Sequence, residues 1–341
     1  MPEHTLEPTP AAAEAAAVPA SPAVPASPAQ QGIWLTERLG AARSGFHLPL
    51  RITFDRVDGA ALVAACAAVA DRHPVLRARL AEHEGGLELR PAEAGFTVTE
   101  VDATTVTTGG ADGADDPGGP DGPAGLFAEE TVRPFDPVTG PLARFTLVHG
   151  PGGCADLLVV AHHAVFDGIS KDVLVADLAA AYNALVAGTP VPAPPVPAAD
   201  GRGYPIAPAP DEALVREAAD WFAPRWSDSA DVLLPGVRRT AHGAGPGEAV
   251  TRTLDAAALG AAARACGVTT FEFLLTAVHA LLRRYGNTDA PVSLPLSTRT
   301  PELAGEIGLF VNELPHHAPA AGEPAGGFAA FATAVRAGLR E

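Results

Sequence analysis

A chain of 341 residues is too long for one ordinary domain and comfortable for two, and its 47% hydrophobic and 18% charged residues supply ample material for a core. A formal net charge of −17, with the 23 Lys and Arg scattered rather than clustered, would repel a phosphate backbone and excludes nucleic acid as a partner. No apolar run approaches the ~20 residues of a membrane span, so no membrane partner is expected. Cys66, Cys154 and Cys266 lack CxxC spacing, indicate neither a zinc site nor a disulfide framework, and fit a cytoplasmic protein.

Residues 1–26 alternate Ala and Pro without the basic start or apolar centre of a signal peptide, and are expected to be a disordered leader. SPAQQGIWLTERL (27–39) predicts a short helix with Trp34 in the core, and PLRITFDRV (49–57) alternates as a strand. Asp58 is placed to cap an Ala-rich helix that Pro74 ends, after which VLRARL is expected to resume as a strand. Residues 108–125, rich in Gly and Asp, predict a surface loop. LARFTLVHG and ADLLVVAHH then read as a hairpin turned at Pro151, Gly152 and Gly153, and Ser170 as the cap of a helix running to about Asn183.

The Pro-rich stretch 190–210 is the expected linker between a first lobe, 27–189, and a second, 211–341. The second lobe is predicted to hold a helix at ALVREAADWFAPRW, a strand at VTRTLD, and a helix stopped by Gly267. A buried helix opened by a Thr269–Glu272 capping box follows, then strands at PVSLPLS and GLFVNELPHH.

The chemistry concentrates in AHHAVFDGIS (161–170). A neutral imidazole accepts a proton from an attacking amine, hydroxyl or thiol near pH 7. Neighbouring side chains on a strand point to opposite faces, so one of His162 and His163 is expected to be catalytic and the other structural. Asp167 can turn back toward the imidazole or toward a nearby arginine, and Gly168 leaves backbone N–H open to a substrate arm at a helix start. From these residues alone, such a pair is more often two hydrogen-bonded strand-end histidines than a catalytic site, which accounts for roughly one case in five.

The HHxxxDG pattern resembles the active-site motif of nonribosomal peptide synthetase condensation domains, in the chloramphenicol-acetyltransferase-like acyltransferase superfamily. SPAQQGIWLTERL is similar to that family's opening motif and DRHPVLRARL (71–80) to its second. RPFDPVTGPLARFTLV resembles the segment before the histidines, and IGLFVNELP (307–315) a later one. The resemblance implies an α+β fold of two such lobes, mixed sheets packed with helices in a V arrangement, with the second lobe incomplete at its C-terminus, since the family's closing strands do not follow AVRAGLRE and its tyrosine-rich segment is reduced to GRGYPIAPAP.

It further implies that His163 is the central catalytic histidine, with His162 supporting it and Gly168 completing the motif. Asp167 would be structural, paired with Arg72 or Arg77, of which Arg72 is favoured. Asn312 would sit near the reaction centre or satisfy buried backbone, and Arg299 is a weaker site residue. The implied activity is amide formation between thioesters carried on the phosphopantetheine arms of donor and acceptor carrier proteins, with no directly bound cofactor and no metal. A free-standing ester- or amide-forming acyltransferase, or an inactive docking scaffold for carrier proteins, are the alternatives.

Overall fold

The protein is described here by a computed structural model covering residues 23–40, 44–103, 123–192, 204–207, 211–224, 232–236, 250–288, 290–319 and 326–340. Most of the leader, of the 108–125 stretch and of the Pro-rich linker therefore lies outside the described residues. The chain divides into two compact units, residues 1–206 with 303–309, and residues 207–302 with 310–341.

In the first unit, β1 (Val24–Pro25) pairs antiparallel with β4 (Gly86–Pro91), which pairs with β3 (Ala78–His83). Residues 23–26 thus join a sheet instead of ending a leader: Val24 and Ala26 are buried, and side-chain burial there outweighs the Ala/Pro composition. The second sheet runs in the order β2 (His47–Phe54), β7 (Ala155–His162), β6 (Ala143–His149), β5 (Val98–Asp102), with only β5 and β6 parallel. On β2 the partly buried Leu48, Leu50, Ile52 and Phe54 alternate with exposed Pro49, Arg51 and Thr53, the signature of a half-covered edge strand. β7 is paired on both sides and apolar apart from Asp156 and its last residue, His162.

Four helices of this unit place the site. α1 (Pro28–Arg38) opens on a capping box in which Ser27 and Gln30 exchange hydrogen bonds, and Trp34 is buried as expected. α2 (Gly59–Arg72), capped by Asp58, buries Leu62, Cys66 and Val69 in the core. α3 (Pro123–Val132) covers the ends of β2 and β7, and α4 (Ser170–Val186) packs along α2. Each fully buried Leu on these helices and strands contributes about 1.5–3 kcal/mol. After α2 the chain makes a 3-10 turn, Pro74–Arg77, so the expected VLRARL strand begins only at Ala78. Pro74 sets this turn by supplying no N–H and a fixed φ.

The second unit holds α5 (Glu212–Phe222), α6 (Ala256–Ala265), α7 (Thr270–Arg284), the antiparallel pair β8 (Val292–Ser297) and β9 (Val311–His316), and α8 (Gly327–Gly338). VTRTLD is not a strand; its alternation meets no neighbouring strand among the described residues. α6 ends at Gly267 with φ of +69, and the Thr269–Glu272 capping box opens α7. α7 is buried on one face only, through Leu275, Thr276 and His279, while Phe271, Leu274, Val278 and Leu281 are exposed. No single helix among the described residues is long and apolar enough to cross a membrane; α6 and α7 pass that test only as a pair bent by 83°.

Candidate active site

The site is built where β7 ends. Its last residue, His162, lies opposite His47 of β2, and its N–H donates to the carbonyl of Leu142 at 2.8 Å. The chain then leaves the sheet in a one-turn 3-10 helix, His163–Val165, which resolves the geometric difficulty of two adjacent strand histidines. The His163 N–H donates to Phe46 O at 2.8 Å, and Gln30 Nε2 on α1 donates to Ala164 O at 2.8 Å.

The two imidazoles sit in different settings. His162 is buried, with the Ala164 N–H donating to its Nδ1 at 3.2 Å and its Nε2 facing Glu37 Oε1 at 3.4 Å. Nδ1 therefore carries the lone pair and Nε2 the hydrogen. Burial, with smaller contributions from His47 and His163, pushes the His162 pKa down to about 3, so the contact with Glu37 joins a neutral imidazole to a carboxyl group. The rings of Phe46, His47 and Phe135 lie edge-on around it, at centroid distances of 6.1, 6.3 and 5.8 Å.

His163 is half-buried, and its Nδ1 lies 2.9 Å from Phe166 O. A carbonyl only accepts, so Nδ1 bears the hydrogen and Nε2 is left with the lone pair, the form that takes a proton from a nucleophile.

Asp167 is fully buried. Its Oδ1 accepts from both the N–H and the Oγ–H of Ser170, each at 2.8 Å. Ser170 is the first residue of α4 and not its cap; Ile169 holds the capping position, and Asp167 takes the first helical N–H. Ser170 Oγ also receives the Gly308 N–H at 3.1 Å, tying the segment 303–309 to this turn. Gly168 is exposed, and a Cβ there would meet nothing within 4 Å, so its backbone is open to approach.

Each of the two arginines expected near Asp167 has an ion-pair partner of its own. Arg72, at the end of α2, donates to Asp177 of α4 at 2.8 Å, an acceptor it shares with His73 Nε2 at 2.7 Å. Arg77 reaches Asp71 at 2.9 Å. Asn312 is exposed on β9, opposite Leu296, so it does not satisfy buried backbone, and the Arg299 guanidinium lies 4.3 Å over the Phe310 ring. Both belong to the second unit.

Sequence reasoning left Gln30 unassigned and missed Glu37, His47 and Ser170. Gln30 and Glu37 stand in the opening motif and Ser170 follows the histidine motif, so their placement beside recognisable residues was the available signal.

The sequence model that matches this chain, over residues 21–341, is that of the condensation domain. The chain belongs to the condensation-domain family. It is 32% identical, over 94% of its length, to a probable non-canonical nonribosomal peptide synthetase, CymA, of Salinispora arenicola, and 30% identical, over 84%, to the phosphinothricin tripeptide synthetase PhsC of Streptomyces viridochromogenes. It spans 4% and 26% of those relatives. Among solved structures, the first condensation domain of the CDA synthetase superposes with a TM-score of 0.69 at 21% identity, covering 94% of this chain and 76% of that one. The X-domain in complex with OxyB from teicoplanin biosynthesis gives a TM-score of 0.72 at 23% identity, covering 93% and 69%. These two likenesses establish the α+β fold. Condensation domains are acyl or peptide transferases whose general reaction joins carrier-bound substrates.

Proposed function

We propose that this condensation domain forms an amide bond between two substrates held as thioesters on the phosphopantetheine arms of a donor and an acceptor carrier protein. The observation that carries the proposal is the His163 tautomer: Nδ1–H is committed to Phe166 O, so Nε2 presents a lone pair from a half-buried ring. The acceptor amine attacks the donor thioester carbon as Nε2 takes its proton. The carbon–sulfur bond then breaks, and the proton passes from the imidazolium to the departing pantetheine thiolate. A thioester is already activated, so the step requires no nucleotide.

Asp167 and Ser170 hold the turn that carries His163, and the exposed backbone at Gly168 leaves room for a slender arm. The free thiols of Cys66, Cys154 and Cys266 are compatible with a reducing cytoplasm.

The test is a reconstituted condensation between two loaded carrier proteins, read by mass spectrometry of the acceptor arm. His163→Ala is expected to lower turnover by ~10²- to 10⁴-fold with an unchanged circular dichroism spectrum. A His163→Ala protein that condenses at the parent rate would overturn the assignment. Ester formation with a hydroxyl acceptor in place of an amine would move the protein to the ester-forming members of the superfamily.

A further inference from the structure

α1 holds the peptide that follows His163 from both sides. Gln30 Nε2 takes the Ala164 carbonyl at 2.8 Å. The Ala164 N–H goes to His162 Nδ1 at 3.2 Å, and the other nitrogen of that ring meets Glu37, two turns along α1 from Gln30, at 3.4 Å. Glu37 is 125 residues from His162 in sequence, and its side chain is 20% exposed.

We infer that Glu37 is a positioning residue for the condensation step, acting on His163 through the tautomer of His162; this rests on the function proposed above. His162 has one hydrogen for two nitrogens. With Glu37 accepting at Nε2, the hydrogen stays there and Nδ1 is free to cap the 3-10 turn. Without an acceptor, a buried N–H faces Phe46, His47 and Phe135 unpaired, which is costly. The ring sheds that cost only by moving its hydrogen to Nδ1 with the turn opening, because in the closed turn Nδ1–H would confront the Ala164 N–H donor to donor. The turn loosens, and with it the Phe166 carbonyl that fixes the tautomer of His163.

His47 does not substitute for Glu37. Its Nδ1 lies 2.7 Å from Thr131 O, and its ring contributes an edge contact.

The closing experiment has two independent readouts on the full chain. In ¹⁵N imidazole NMR, His162 is expected to show a protonated Nε2 and an unprotonated Nδ1. Glu37→Leu should populate the opposite tautomer and lower kcat by about tenfold with KM within about twofold, whereas Glu37→Gln, which keeps an acceptor oxygen, should retain the tautomer and at least about half the turnover. Should Glu37→Leu not fold, His162→Asn tests the same coupling. Its side-chain oxygen can cap the Ala164 N–H without help from Glu37, so in that background Glu37→Gln and Glu37→Met should be equivalent. An unchanged tautomer and unchanged turnover in Glu37→Leu, or a Glu37→Gln as impaired as Glu37→Leu, overturns the inference. If the parent protein forms no amide while the NMR result holds, the proposed reaction falls and the role of Glu37 in setting the His162 tautomer stands.

Discussion

Ser170 links Asp167 to Gly308: its hydroxyl donates to the Asp167 carboxylate at 2.8 Å and accepts the Gly308 N–H at 3.1 Å. A side chain with no exposed surface thus joins the turn after the histidines to a segment 138 residues away. Ser170→Ala removes the hydroxyl donor to the buried Asp167 carboxylate, which keeps the Ser170 N–H, and takes away the acceptor of the buried Gly308 N–H, and is expected to cost about 1–3 kcal/mol in urea unfolding. Asp167→Ala should cost at least as much and also reduce condensation, because it removes the acceptor of the first α4 N–H. A Ser170→Ala protein with an unchanged urea midpoint would show that the link contributes nothing.

Two ion pairs near the second motif differ in what they can be worth. Arg72 and Asp177 are 23% and 22% exposed, whereas Asp71, the partner of Arg77, is 72% exposed. Asp177→Ala leaves Arg72 and the buried His73 without their shared acceptor and is expected to cost about 1–3 kcal/mol, reduced from the fully buried case by solvent. Asp71→Ala should cost no more than about 1 kcal/mol. Thermal melts of both variants check the ordering, and equal losses would contradict it.

Acid should weaken both units through their histidines. Burial lowers the pKa of His162 to about 3 and of His279 to about 4, and pushes His47, His73 and His316 down as well. A base held neutral in the fold takes up its proton more readily once unfolded. These residues therefore contribute stability that is fully present above the usual imidazole range near 6.5 and is lost as the pH falls from there toward 4 and below. His279 Nε2 and His316 Nδ1 share a contact of 2.9 Å, so His279→Gln should remove about one proton from the pH dependence of unfolding between pH 6 and 4. A slope identical to the parent's would exclude His279 as a contributor.

Gly140 has φ of +60, and a Cβ there would stand 2.9 Å from both Ala78 O and Arg79 Cβ. Gly140→Ala meets left-handed strain of roughly 1–2 kcal/mol and, in addition, a clash with the backbone of β3. It should lower the melting temperature by several degrees, in contrast to Gly168→Ala, where space is open and stability is expected to hold.

The histidine turn was legible because it is local: a strand end, a turn and a helix start within ten residues, carried by a recognisable motif. What surrounds it was not. Glu37, His47 and Gln30 reach it from 134 to 115 positions away or so in the chain, through the β2–β7 register and the docking of α1, and periodicity carries no information about register between distant strands. The same limit explains Arg72. Its place at the end of α2 was clear, but the partner was chosen by the face that α2 turns to α4. VTRTLD and α7 failed differently, since alternation and apolar spacing report which faces want cover and not whether a neighbour supplies it.

The residues 303–309 belong to the first unit although nearly a hundred residues of the second come before them. Domains generally fold as units, the N-terminal one first as the chain emerges from the ribosome. Here the nascent first unit has its histidines early but lacks Ile307 and Gly308, and Ser170 waits for the N–H that arrives with them. The turn that carries His163 is therefore completed late in synthesis, after the polypeptide of α5, α6 and α7 has been made, and a translation product stopped at residue 206 would contain both imidazoles in an unfinished setting.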